Sequence, residues 1–131
     1  MKLLLDTHIW LWIAFEPSLI APRVREVLAN PQNELWLSPI SVWELTLLCR
    51  KGRFRVLTDV PAWVARTIHE LHLTEAPLTF EVALAISSLK LPHSDPADGF
   101  IAATAKVFDL TLVTADEQLA KCADIAVLSS R

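Results

Sequence analysis

The sequence predicts an α/β fold, a three-layer α/β/α sandwich with a central parallel sheet. Two observations predict it. Apolar runs of strand length alternate along the chain with segments of helix length, the pattern of strand–helix–strand units. The first of these runs, Lys2-Leu3-Leu4-Leu5, is apolar from Leu3 onward, with no polar residue in alternation, as expected of a strand buried on both faces. The length of 131 residues then sets the scale. It suits one domain over 1–131, and such a chain buries roughly two-thirds of its unfolded surface without needing disulfides. No repeat, low-complexity stretch or linker divides it.

The elements follow in order. Lys2–Leu5 is a strand ending at Asp6. Thr7 to Phe15 reads as a helix, stopped by Pro17. Pro22 suits the first turn of a second helix to about Ala29, with Val24, Val27 and Leu28 on one face. Asn30-Pro31-Gln32-Asn33 is a turn. Glu34 to Ser38 is a second strand. Ser41 to Lys51 reads as a helix, with Ser41 and Glu44 as a capping box and Gly52 as its stop. Arg53 to Leu57 connects to a helix over Asp59–His72 with Pro61 in its first turn. Thr74 to Leu78 holds a short strand, and Thr79 to Leu89 a helix with Val82, Ala83 and Ile86 inward. Leu91-Pro92-His93-Ser94 is a loop. Asp95-Pro96 opens a helix to about Phe108. Thr111–Thr114 is a strand, Asp116–Lys121 a short helix and Ile125–Leu128 a last strand.

Composition excludes several classes. Hydrophobic residues make up 53% of the chain and charged residues 21%, which rules out intrinsic disorder. The longest uninterrupted apolar run, Ile9 to Phe15, falls far short of the ~20 residues of a membrane span. Asp6 and His8 interrupt any signal-peptide core, so no leader is expected. Two glycines leave no room for a Gly-rich phosphate loop, and neither GxGxxG nor a P-loop is present. Cys49 and Cys122 stand alone, without zinc spacing, and read as free thiols in a reducing cytoplasm. A mean hydropathy of +0.38 and five tryptophans point either to a Trp-rich core or to apolar surface that a partner or second copy covers. The net charge of -3 argues against a simple basic nucleic-acid binder. It is compatible with an acidic metal site acting on nucleic acid.

Five acidic residues hold related positions. Asp6 ends the first strand, and Glu44 lies in the first turn of the helix after the second. Asp95 and Asp98 open a later helix, and Asp116 follows the TLVT strand. In a parallel sheet, strand ends and the starts of the helices that follow lie along one edge, where open α/β folds carry their sites. Each acid also has a structural use. Glu44 closes the capping box, Asp95 and Asp116 cap helices, Asp98 favours a first turn and Asp6 caps the helix it precedes. The joint placement favours a site. Oxygen-only ligands select a hard cation, Mg²⁺ or Mn²⁺, and two such ions ~4 Å apart can activate a water and stabilise the leaving oxygen of a phosphodiester. Of the 15 acidic residues, setting these five aside leaves 10 against 12 basic ones, so the rest of the chain is mildly basic. Arg50 and Lys51, with Arg53 and Arg55 beyond, offer charge for RNA phosphates or simply complement a helix end. Thr7 and Thr114 offer hydroxyls that orient carboxylates or water, or serve local backbone bonds. His93 reads as a substrate contact or a plain loop residue, and His69 and His72 as surface. If Asp95 is the N-cap, Asp98 sits at N3 as the direct metal ligand, with Ala102 and Ala105 letting its flank approach the sheet.

The segments LLLDTHIWLW at the start, LSPISVWEL at 37–45, HSDPADGFIAATA at 93–105 and LVTAD at 112–116 together resemble the PIN-domain ribonucleases, in particular the VapC-like toxins of prokaryotic toxin–antitoxin pairs. The resemblance spans the chain in order. It implies a PIN-like sandwich, Mg²⁺- or Mn²⁺-dependent endoribonuclease activity, homodimerisation and an antitoxin partner, which would lie along the N-terminal helices near Trp10, Trp12 and Trp43. It gives Asp6, Glu44, Asp98 and Asp116 the four acidic positions, with Asp95 as an adjacent fifth. One position departs: where the related pattern usually has Arg, this chain has Gly99. That departure is the main support for an alternative, a catalytically weak or inactive protein-binding module. Other phosphotransfer folds fit worse. A receiver-type domain wants Lys after its late strand, and a haloacid-dehalogenase-like domain wants Asp-x-Asp where Asp6-Thr7-His8 stands.

Overall fold

The structure is a computed structural model that describes residues 1–91 and 95–131. The loop reading of Leu91–Ser94 and the substrate reading of His93 fall largely on residues 92–94, outside the described residues. Five strands, β1 (Lys2–Leu5), β2 (Glu34–Leu37), β3 (Thr74–Glu75), β4 (Thr111–Thr114) and β5 (Val127–Ser129), form one sheet in the order β3-β2-β1-β4-β5. Every pairing is parallel, with Leu3 opposite Leu35 on one side and Thr111 on the other. The helices are α1 (Thr7–Phe15), α2 (Pro22–Ala29), α3 (Pro39–Arg50), α4 (Val60–Glu70), α5 (Phe80–Ala85), α6 (Pro96–Val107) and α7 (Glu117–Ala120). They cover both faces, so the expected sandwich is present.

The pleat of β1 decides how the core divides. Leu3 and Leu5 point to one face, where they pack with Ile9, Trp10, Val24, Leu45 and Trp63. Leu4 points to the other, against Ile101, Ala102, Ala105, Leu112 and Leu119. All three leucines are fully buried, each worth about 1.5–3 kcal/mol. The second face rests on α6, whose run of small residues lets the helix lie close to the sheet.

Several boundaries move, for local reasons. The capping box expected of Ser41 and Glu44 does not form. Ser38 is the N-cap of α3, its hydroxyl accepting the Ile40 N–H at 3.1 Å, and Pro39 takes the first helical position. Ser41 therefore lies inside the helix and Glu44 in its second turn. Gly52 does stop α3, at φ +68, a conformation open to glycine. The helix expected over Asp59–His72 is α4, capped by Asp59 onto the Ala62 N–H and ended before His72, which turns left-handed. Strand β3 keeps two residues, because Pro77 offers no ladder N–H. The segment expected as one helix over Thr79–Leu89 is α5 followed by a 3-10 turn, Ile86–Ser88. In it Val82 is buried and Ile86 half-buried, but Ala83 is exposed. Trp10 is core and stacks at a tilt on Trp63, so it offers no partner surface.

The strand order creates a crevice. From β1 the chain crosses toward β2 on one side, and from β4 toward β5 on the other. The gap between the carboxyl ends of β1 and β4 is thus a topological switch point. Asp6 follows β1 there, and Thr114 ends β4.

Candidate active site

Asp6 is held at the switch point by both neighbours. Its backbone N–H donates to the Val113 carbonyl at 3.0 Å, tying the end of β1 to β4. Its Oδ1 accepts the Thr7 N–H at 2.8 Å and its Oδ2 accepts the Thr114 hydroxyl at 2.7 Å. The residue is only 7% exposed. Burial pushes its carboxyl above the ordinary range, against the pull of the Thr114 and Thr7 bonds. The Thr114 hydroxyl also accepts the Asp116 N–H at 3.0 Å, so it fixes both acids to one another. Asp116 caps α7, its Oδ1 accepting the Gln118 and Leu119 N–H groups at 2.7 and 3.2 Å.

Glu44 reaches the same crevice from α3. The Thr7 hydroxyl donates to its Oε1 and also meets the Ser41 hydroxyl at 2.8 Å. Its carboxyl is raised by partial burial, with Asp6 and Asp95 adding repulsion against the Thr7 bond. Asp95 caps α6, accepting the Ala97 N–H at 3.0 Å through Oδ1. Asp98, in the first turn of that helix, is strongly perturbed. Desolvation pushes its carboxyl up to about 7, reinforced by the charges of Asp6, Asp95, Asp116 and Glu44. The other four acids picked out in the sequence therefore all act on Asp98.

The hydroxyls of Thr7 and Thr114 do orient carboxylates. Arg50 and Lys51 are not brought to the cluster. Both are exposed at the far end of α3, about 9 Å beyond Glu44 along the helix axis. Neither is among the charges acting on Asp6, Glu44 or Asp98. His8, exposed on α1, is: it favours the charged forms of Asp6 and Glu44. Sequence reasoning missed Ser41, because the capping-box pattern explained it too early.

Gly99 faces away from this chemistry. A Cβ there would lie 3.3 Å from Ile86 Cγ2 and 4.0 Å from Leu91 Cδ1. The glycine serves the close approach of the Ile86 turn to α6. That packing gives the glycine a structural use that does not involve the acids.

The donor set fits a hard divalent cation. The donors are carboxylate oxygens, and their mutual repulsion together with the raised acid of Asp98 is what a cation would relieve. The cage is not closed as it stands: among the described residues no three His, Cys, Asp or Glu side chains form a ready-made metal site.

A model of the PIN domain family matches residues 3–125. No curated protein matches the sequence significantly. Among solved structures, the fold is similar to that of VapBC2 from Rickettsia felis bound to a DNA fragment from its promoter, at 17% identity over 100% of both chains and a TM-score of 0.73. FitAcB from Neisseria gonorrhoeae is 26% identical over 98% of this chain and 97% of that one, with a TM-score of 0.63. VapBC-5 from Mycobacterium tuberculosis, a member of the VapBC family of toxin–antitoxin systems, is 18% identical over 98% of each chain, at 0.59.

Proposed function

The chain belongs to the PIN-domain family, and on that footing we propose that it is a Mg²⁺- or Mn²⁺-dependent endoribonuclease, the toxin of a toxin–antitoxin pair. PIN domains are generally nucleases. One observation carries the reading for this chain: four acids act together with burial to hold the Asp98 carboxyl near neutrality. Helix capping accounts for Asp6, Asp95 and Asp116, but not for burying Glu44 and Asp98 among them, which is costly.

Asp6, Glu44, Asp98 and Asp116 would hold the ion, with Asp95 beside them. A bound divalent cation supplies charge to the phosphodiester and a nucleophilic water at neutral pH. The chain's own residues prepare the place. Thr114 fixes Asp6 against Asp116, and Thr7 fixes Glu44 against Asp6. Without a cation, Asp98 keeps a proton on its carboxyl up to about pH 7, and an ion competes with that proton. Arg50 and Lys51 would meet RNA only outside the cleft, along the flank of α3.

Two apolar surfaces support the proposed partners. Trp43 is 51% exposed, Phe80 92% and Leu84 75%. They lie on α3 and α5 and suit a second copy of the chain in a homodimer. A cleft of about 260 Å³ lined by Ile13, Ile20, Leu28 and Leu71 suits the apolar face of an antitoxin helix. Trp12, half-buried on α1 outside that cleft, remains a candidate antitoxin contact, and the buried Trp10 does not. Among the described residues no helix is long and apolar enough to cross a membrane.

The test is direct. Purified protein should cleave structured RNA with Mg²⁺ or Mn²⁺ and stop in EDTA. Asp6→Asn should abolish cleavage and remain folded. Cleavage that persists in EDTA would refute the metal mechanism.

A further inference from the structure

We propose that Ser41 is a positioning residue, whose hydroxyl commits the Thr7 proton to Glu44 and so sets the Glu44 carboxylate against Asp6. The inference rests on the metal-site reading above. Proton counting carries it. A threonine hydroxyl has one proton, and Thr7 donates that proton to Glu44 Oε1. Its 2.8 Å contact with Ser41 then has to be made by the serine proton. The direction of the chain is thereby fixed: Ser41 donates to Thr7, and Thr7 donates to Glu44. Each bond polarises the next in a water-poor setting.

Burial makes the arrangement exclusive. Ser41 is 0% exposed and Thr7 1%, so water cannot easily replace either partner. A serine within a helix ordinarily turns its hydroxyl back to the carbonyl one turn earlier. Ser41 instead reaches across to α1. Thr7 is the hinge of the set, because its backbone N–H donates to Asp6 Oδ1 at 2.8 Å while its side chain holds Glu44. One residue thus spaces two carboxylates from different elements. Among the described residues Ser41 makes no hydrogen bond to either carboxylate. It acts by removing the alternative in which Thr7 turns and gives its proton elsewhere.

Binding of Mn²⁺ in the absence of RNA, followed by calorimetry and by electron paramagnetic resonance, tests this. Ser41→Ala should weaken Mn²⁺ binding about tenfold, in the range known for groups that orient metal ligands. The metal-free melting temperature of the variant shows whether it is folded during that measurement. Thr7→Val should weaken binding at least as much, and Thr7→Ser, which keeps the hydroxyl, should restore it. The double variant Ser41→Ala with Thr7→Val should bind no more weakly than Thr7→Val alone, since Ser41 acts only through Thr7. Additive losses would overturn the inference. So would a folded Ser41→Ala protein that binds Mn²⁺ like the wild type. Wild-type protein that binds no Mn²⁺ would remove the metal-site reading itself, a failure visible before any variant is made.

Discussion

Asp98→Asn should make the metal-free protein more stable while destroying its activity. The Asp98 carboxyl is raised from 3.8 to about 7, first by desolvation and then by four surrounding acids. Counted in full at about 1.4 kcal/mol per tenfold, the rise would be worth roughly 4 kcal/mol. Asp98 is only partly buried, however, and solvent and salt screen its neighbours, so about 1–2 kcal/mol is the realistic size. The sign follows from proton linkage. Between the unfolded value of 3.8 and the folded value of about 7, the native state holds a proton that the unfolded chain has lost. Stability contributed by Asp98 is therefore full below 3.8, falls as pH rises, and is gone above about 7. Asparagine keeps the shape without the charge. In EDTA at about pH 8 the variant should melt roughly 3–8 °C above wild type, at ~3–4 °C per kcal/mol for a chain of this size. Near pH 4 the two should coincide. Adding Mn²⁺ should raise the wild-type melting temperature and leave the variant almost unmoved, because only binding to the native state stabilises. A variant equally stable at both pH values, or less stable at pH 8, would refute the claim that the charge of Asp98 destabilises the metal-free cluster.

Asp95→Ala should behave oppositely: losing the bond to the Ala97 N–H should cost about 1 kcal/mol, seen as a lower melting temperature, with measurable RNA cleavage retained. Cleavage lost outright, with the melting temperature unchanged, would make Asp95 the ligand and Asp98 the lesser partner. Gly99→Arg should destabilise by about 1–3 kcal/mol, because its Cβ already falls 3.3 Å from Ile86 and the longer side chain must push the 3-10 turn away. An arginine variant that is both as stable and more active would mean that the glycine is a lesion of the site rather than a packing device.

The sequence made the order of strands and helices legible because apolar run lengths and Pro and Gly positions are local signals. Helix α1 has the expected bounds Thr7–Phe15 since Asp6 and Pro17 mark both ends. Pairing is non-local, and strand order was therefore not legible. Nothing in the sequence says that β4 lies beside β1, and that neighbour is what turns a set of edge positions into one crevice. Asp6 was identifiable because a carboxylate after an apolar strand is costly and hence informative, and the other four because they share strand ends and helix starts along one sheet edge. Ser41 was not, since a serine three residues before a glutamate is ambiguous between a cap and a buried relay until the true cap, Ser38, is seen. Arg50 and Lys51 looked adjacent to Glu44 in sequence, but about 1.5 Å of rise per residue carries them away from it.

Treating each acid as either a helix cap or a ligand sets up an opposition that the structure dissolves. Asp6, Asp95 and Asp116 are all N-caps, of α1, α6 and α7. Each gives Oδ1 to the backbone at the start of its helix. A carboxylate has a second oxygen, and capping fixes where that oxygen stands. Capping also brings the N-terminal ends of α1 and α6 to the cluster, where their partial positive charge offsets some of the repulsion. The fold thus gathers negative charge at the switch point by using the residues that start its helices. Glu44 and Asp98 are the exceptions. Neither is an N-cap; they lie inside α3 and α6, and both are raised above the ordinary carboxylate range by partial burial and by the caps around them. Three acids are therefore anchored as caps, yet Asp6 among them is raised along with Glu44 and Asp98, and a divalent cation is the ligand whose chemistry answers that gathered charge.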